Sequence, residues 1–447
     1  MSVSRGRGLL AALFLPLLVA AAVPARAASE DVVLGWNAYG STDDYVAQAA
    51  RAPGLNTVSP AWWLLRRDGS IRDAGDRRYS SWAHVHGMRV WPLFGNGTDQ
   101  KTSHRVLTDR VLRATVIGRI TALAAGEDAD GVNLDWENVA TADRDAFSAF
   151  VREAAAAWRA AGLVVSVDVT ARTDTWQLGD WTESLDRRAL ASAADFLVLM
   201  AYDQHNRLRP VGPTAALPWV RDSIEYLLRD APASKVILGV PFYTQDWSAD
   251  PHRRMETVTF ARIAGRLRAY RATVRWDSAA GQSIATYTRA GFGHRVWIED
   301  ARSLAPKAAL VRDYGLAGIA AWRIGFETPT AWRALALPVV RAPKPAPVRS
   351  APVATPRAEP VASPAPATTT SPATRASSRA PLATGGVVMA LVVAGLAAAR
   401  LRRAQRTSSA ASRGPSRVPN SVSVNANTST AVGASDPPGS SRDASGS

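Results

Sequence analysis

Eight short apolar runs, spread over roughly 300 residues and mostly separated by helical patterns, constrain this chain more than any other feature. They cover residues 32–36, 56–63, 89–94, 130–137, 164–169, 196–201, 236–241 and 318–322. Continuous apolar runs alternating with helices predict parallel strands buried on both faces. Eight such units predict an α/β chain folded as a (β/α)8 TIM barrel, rather than a doubly wound open sheet. Helices are expected over 103–125, over 142–161 with Thr141 as cap and Gly162 as stop, over 218–229 and over 301–314. Asp68-Gly69 marks a turn after the second run, and Gly95-Asn96-Gly97 stops the third. Between Tyr243 and Arg295 the rhythm fails. Alternating stretches there, Thr257-Val258-Thr259-Phe260 and Thr273-Val274-Arg275-Trp276, predict a small α+β insertion at about 248–295, between strands seven and eight.

The fourth run is chemically unlike the others. Asp130-Gly131-Val132-Asn133-Leu134-Asp135-Trp136-Glu137 places Asn133, Asp135 and Glu137 on one face of a strand and Val132, Leu134 and Trp136 on the other. By itself an acidic alternation is an ordinary solvated face or a strand-end ion pair. With the opposite face apolar, both faces are enclosed, and acids placed in an interior need a reason to be there. In a TIM barrel the chemistry sits at the C-terminal strand ends, where this run finishes.

This run resembles the active-site signature of glycoside hydrolase family 18, D-x-x-D-x-D-x-E, with Asn133 replacing its second acid. Further strand ends agree in order. Met200-Ala201-Tyr202-Asp203-Gln204-His205 is similar to M-x-Y-D-x-H, and Val211-Gly212-Pro213 with Leu217-Pro218-Trp219 is similar to P-G-P-x-x-x-x-P-W. Gly239-Val240-Pro241-Phe242-Tyr243, followed by Asp246-Trp247, resembles G-I-P-x-Y-x-x-D-W, and the last strand ends in Trp322-Arg323. The likeness spans about residues 31–335 and is nearest the bacterial spore-cortex-lytic and spore-germination branch.

The resemblance implies a retaining mechanism in which the substrate's own acetamide is the nucleophile. Glu137 is then the general acid, later the base. Asp135 receives the acetamide N–H, stabilises the developing positive charge and raises the pKa of Glu137. Tyr202 donates its hydroxyl to the acetamide oxygen. Trp322 is either a stacking floor for the sugar or a barrel-core Trp, and Asp203 either orients the sugar or forms a structural ion pair. Asn133, Tyr243 and Trp36 are further substrate-binding candidates, Asp246 is a weaker one, and His205 is a rim contact or a structural histidine. Asn133 cannot share a proton with Asp135, so Asp135 is expected to be more permanently ionised and the pH optimum displaced.

The ends lie outside the barrel. Arg5 and Arg7, the apolar run Leu9 to Val23 and Ala25-Arg26-Ala27 form a signal peptide, residues 1–27. Residues 341–381 are a Pro/Ala/Ser/Thr-rich linker that cannot bury enough apolar area to fold. Residues 382–399 are uncharged and apolar, and Arg400, Arg402, Arg403 and Arg406 follow them, the pattern of a membrane span with a cytoplasmic tail, 400–447. The expectation is an exported barrel held at the cell membrane by one helix.

The net charge of +15 belongs to the ends: residues 341–447 hold 13 Lys/Arg against 3 Asp/Glu, and residues 1–29 hold three Arg and no acid. The barrel is close to neutral, which excludes a basic nucleic-acid surface. Cys is absent, excluding disulfides and thiolate metal sites. No metal and no cofactor are expected, and the chain is expected to act as a monomer. The expected partner is a polysaccharide containing N-acetylglucosamine, with peptidoglycan preferred and chitin the alternative. A non-catalytic sugar-binding lectin of the same fold is the reading from another class.

Overall fold

The computed structural model describes residues 31–335. The expected signal peptide, linker, membrane span and tail lie outside the described residues. Eight strands form the barrel: β1 (Val32–Asn37), β2 (Thr57–Pro60 continued by Trp63–Leu65), β3 (Arg89–Val90 continued by Leu93–Gly95), β4 (Gly131–Asp135), β5 (Val164–Thr170), β6 (Phe196–Met200), β7 (Val236–Pro241) and β8 (Gly318–Trp322). Each pairs in parallel with the next, and β8 returns to β1 with Val32 opposite Gly318. Two strands are split where the sequence reads as continuous. In β3 the break is Trp91-Pro92, where Pro92 has no N–H to donate. The ladder still bridges it, since Trp91 N–H donates to Val58 and Asn133 N–H to the Pro92 carbonyl at 2.9 and 3.0 Å.

Side chains alternate between two environments. Val32, Leu34 and Trp36 of β1, Phe196 and Val198 of β6, Ile237 of β7 and Ala320 of β8 fill the barrel interior. The intervening residues, among them Val132, Leu134, Val165, Val167, Leu197 and Leu199, face the surrounding helices and form the larger core. β4 and β5 depart from this pattern: their inward positions carry Asn133 and Asp135, and Ser166, Asp168 and Thr170. The interior is therefore apolar on β1, β3, β6, β7 and β8, and polar along β4 and β5 and on β2, where Thr57 and Ser59 are buried.

The helices differ in detail from the sequence reading. The pattern over 103–125 is two helices, Gln100–Thr108 and Arg110–Gly126, because the Asp109 carboxylate accepts from the Val111 and Leu112 N–H groups at 2.9 and 3.0 Å and starts a new helix. Thr141 opens a 3-10 turn, Thr141–Asp143, before helix Arg144–Ala160; its hydroxyl donates to Asp180 at 2.6 Å and does not cap the helix. The insertion after β7 begins at Tyr243, earlier than expected. It is a five-stranded antiparallel sheet ordered 255–259, 243–248, 292–298, 282–289, 273–277, with one helix, Phe260–Ala269. Its last strand runs into Glu299, which is buried with Lys307 at 2.7 Å and ties the insertion to helix Ala301–Asp313.

Trp136 follows β4 on the outward side and is fully buried, with ring centroids 4.6 Å from Phe150 and 6.1 Å from Phe147. Trp136→Ala should cost about 3–5 kcal/mol in urea unfolding. A loss below about 1 kcal/mol would mean that this packing does not hold the strand end in place.

Candidate active site

The site begins where β4 stops. The strand ends at Asp135, two residues earlier than the sequence alternation suggests, so Glu137 stands on the loop beyond it. Two devices hold that loop. Trp136 packs outward, as above. Asn96, after β3, accepts the Glu137 N–H at 3.1 Å and donates to the Glu137 carbonyl at 2.8 Å. Asn138 then turns the chain with φ +52° and donates to the Thr98 carbonyl at 3.1 Å. Asn96 is buried and was legible in the sequence only as a loop signal.

Below Asp135 lies a hydrogen-bonded ladder inside the barrel. Asn133 is completely buried; its carbonyl accepts from Trp36 Nε1 at 2.7 Å and Ser59 Oγ at 3.1 Å, and its amide donates to Ser166 Oγ at 3.1 Å and Asp168 Oδ1 at 2.7 Å. These positions correct two expectations. Asn133 and Trp36 are fully enclosed by protein, so neither presents a surface to a sugar; Trp36 instead supports Trp322 edge-on, ring centroids 5.7 Å apart. Trp322 remains half-buried at the end of β8.

On the opposite side, Tyr202 and Asp203 follow β6, both half-buried. Asp203 has φ +60°, and its Oδ1 accepts from the Tyr243 hydroxyl at 2.5 Å and Gln245 Nε2 at 3.0 Å. Tyr243 is buried, so it orients Asp203 rather than meeting a ligand. Asp246 is likewise not at the mouth: it is buried in the insertion, bonded to Arg266 at 2.6 Å, His294 at 2.8 Å and the Tyr287 hydroxyl. His205 donates to the Pro210 carbonyl at 2.9 Å and shapes its own loop. Glu137, Asp135, Tyr202, Asp203 and Trp322 are thus brought to one end of the barrel. Asp168 joins them from β5, and sequence reading passed over it. The signal was an acid at an inward position of an otherwise apolar strand.

Electrostatics follow from enclosure. Burial pushes the Asp135 carboxyl up to about 7. Glu137 is held well above the usual carboxylate range, first by burial and then by the charges of Asp135, Asp168 and Asp203. Burial and Asp135 raise Asp168 also, partly offset by the bond from Asn133. Burial raises Asp203, with the bonds from Tyr243 and Gln245 acting against it. An acid that keeps its proton at neutral pH, beside one that ionises near neutrality, is equipped to protonate a leaving group and stabilise a cation. Among the described residues, no group of three or more His, Cys, Asp or Glu is arranged to hold a metal ion.

Comparison with known proteins agrees with this geometry. The family described as glycosyl hydrolases family 18 matches residues 35–327. The cortical fragment-lytic enzyme of Bacillus subtilis (strain 168) is 31% identical over 304 residues, covering 64% of this chain and 68% of that enzyme. A sporulation-specific glycosylase of the same organism is 30% identical over 245 residues, 54% of this chain, and the match spans 58% of its length. The crystal structure of a chitinase from Chromobacterium violaceum ATCC 12472 superimposes with a TM-score of 0.63 at 28% identity, covering 68% of this chain and 98% of that one.

The raised carboxyls set the sign of the pH dependence. The native state binds more protons than the unfolded chain between the ordinary aspartate range and about 7 for Asp135, so stability falls as pH rises through that window. Glu137→Gln removes one such group. The variant should therefore melt higher than the native protein at pH 8, with the gain shrinking toward pH 5. An equal shift at both pH values would remove the electrostatic account.

Proposed function

The chain belongs to glycosyl hydrolases family 18, and on that premise we propose that it is a membrane-tethered, extracytoplasmic glycosidase cutting β-1,4 bonds next to N-acetylglucosamine in peptidoglycan. The observation that carries the reading is Glu137, enclosed at the end of β4 and held toward its protonated form first by burial and then by Asp135, Asp168 and Asp203. Its proton goes to the glycosidic oxygen as that bond breaks. The acetamido carbonyl of the bound sugar attacks the anomeric carbon, forming an oxazolinium ion, and Asp135 receives the acetamide N–H and balances the charge. Tyr202 donates to the acetamide oxygen, and Trp322 offers its face to the distorted ring. Glu137, now the base, takes a proton from the water that opens the ion, so the anomeric configuration is retained. Family 18 enzymes are known exceptions to the two-carboxylate scheme in this respect.

Two features support a wall polymer over chitin. One is the likeness to a cortical fragment-lytic enzyme. The other is a cavity of about 530 Å³ beside the mouth, reached from Asn138 and Thr98 and bordered by Arg67, Lys101 and Arg105. Its one acid, Asp99, is already engaged with Arg67 at 3.2 Å and with the Thr102 N–H at 3.0 Å. Peptidoglycan carries free carboxylates on its stem peptides, and on lactyl groups from which the peptide has been removed, whereas chitin carries none. The tether rests on the apolar stretch 382–399 and the arginines after it. Among the described residues, no helix is long and apolar enough to cross a membrane.

The deciding experiment is product analysis of the full-length chain on purified peptidoglycan and, in parallel, on chitin oligosaccharides. Muropeptides with new N-acetylglucosamine reducing ends are expected, and Glu137→Gln should abolish them while sugar binding persists. Cleavage of chitin oligosaccharides alone would make the protein an anchored chitinase, and binding without cleavage would make it a lectin. Replacing Lys101 and Arg105 together by Gln should raise KM for peptidoglycan several-fold and leave chitin oligosaccharides unaffected. Equal losses on both substrates would refute the cavity's role in recognising carboxylates.

A further inference from the structure

Strands β4 and β5 carry an exchange that this reaction has to accommodate. Where the family signature has an acid, the chain has Asn133, and every hydrogen-bonding position of that side chain is taken. An indole N–H can only donate, so the carbonyl end of Asn133 must face Trp36 and its amide end must face Asp168. Asn133 thus has no hydrogen left for Asp135, whose Oδ1 is shielded from solvent and has no hydrogen-bond partner. An acid is nevertheless at hand, one strand over. Asn133 lies opposite Ser166 and Leu134 opposite Val167, so the next rung sets Asp135 beside Asp168 on neighbouring strands whose backbones are about 4.8 Å apart. Both face the barrel interior, and Asp168 is almost wholly buried.

We propose that Asp168 takes the place of the missing signature acid, as the proton-sharing partner of Asp135. The inference rests on the reading of Glu137 as general acid and Asp135 as the acetamide's partner. Two carboxyls enclosed side by side do not both ionise, so the resting pair holds one proton. When the acetamide N–H donates to Asp135 and positive charge develops, the O–H bond on Asp135 breaks and one forms on Asp168, leaving Asp135 as the anion. Once water has opened the oxazolinium ion, the proton returns. Nothing else is gained or lost. Asp168 acts through Asp135 and is a positioning residue.

The two side chains depend on each other sterically and electrically. An acid at position 133 would bring two carboxyl oxygens together at the present 2.7 Å contact with Asp168. With Asn133 there, one Asp168 oxygen accepts a defined hydrogen bond and the other is free to carry the proton. The titratable groups around the pair are Glu137 from the end of β4 and Tyr202 and Asp203 from beyond β6; Glu137 and Tyr202 both respond to the charge on Asp168.

Asp168→Asn keeps an acceptor for the Asn133 amide and removes only the proton and the charge. The experiment compares kcat against pH for the full-length protein, Asp168→Asn, and the double variant Asn133→Asp with Asp168→Asn, on a chitin oligosaccharide. Loss of the like-charged neighbour lowers the pKa of both Asp135 and Glu137, so both limbs of the profile should move to lower pH by about one unit. Returning an acid to position 133 should move them back. A lower kcat with unmoved limbs would make Asp168 purely structural and overturn the proposal.

A second measurement does not need turnover: pH titration of the carboxyl carbons in protein labelled with 13C-aspartate. Asp135 and Asp168 should titrate in two separated steps in the native chain, and Asp135 in a single step at lower pH in Asp168→Asn. An Asp135 step that does not move overturns the pair even if hydrolysis and the Glu137→Gln loss are as expected. A coupled titration in a protein that hydrolyses nothing leaves the pair standing and removes the glycosidase reading instead.

Discussion

The chemistry at the barrel mouth depends on β4 holding its period-two register between two opposite surroundings. Outward, Val132, Leu134 and Trp136 are buried against the helices; inward, Asn133 and Asp135 meet the polar ladder. A slip of one residue would exchange the faces, pressing carboxyls onto Phe147 and Phe150 and leaving an indole in the ladder. Neither side tolerates the exchange, because an unpaired buried charge costs far more than a few hydrogen bonds return. Gly131 lets the strand sit that closely: a Cβ there would lie 2.7 Å from both the Trp91 ring and the Val164 carbonyl.

Enclosed acids are treated differently across the molecule, and the contrast singles out the mouth. Glu299 is fully buried but bonded to Lys307 through both oxygens, and Asp246 is met by Arg266, His294 and the Tyr287 hydroxyl. These are neutralised and structural. Burial pushes Asp135, Asp168 and Glu137 toward the protonated form, and neighbouring acids add to it at Glu137 and Asp168. Such a cluster lowers stability at neutral pH, and the apolar remainder of the interior has to offset it. Strain of this kind persists where the chemistry uses it.

The barrel was legible because its strands are continuous apolar runs of the right length, and Glu137 stood out as a candidate acid because an apolar strand has no structural use for it. What escaped the sequence reading was tertiary. The break at Trp91-Pro92 leaves the hydrophobic pattern untouched, and Asp109 splits a helix through its cap rather than through periodicity. Asn96 reads as a turn residue until the loop after β4 folds onto it. Trp36 and Tyr243 have the composition of sugar-binding aromatics, yet their polar atoms are spent on Asn133 and Asp203, which only the assembled barrel reveals.

Asn133 shows how a motif read along one strand can mislead. In one dimension the signature has lost an acid, and Asp135 should be the more permanently ionised for it. In the barrel, residues 33 apart occupy neighbouring rungs, so the inward face of β4 is continued by that of β5. Asp168 restores a carboxyl next to Asp135, while the Asn133 amide occupies the contact at which a second acid would have been repelled. The unit that has to be complete is therefore the set of inward side chains at one height in the barrel, where Asp168 from β5 stands beside Asp135 from β4.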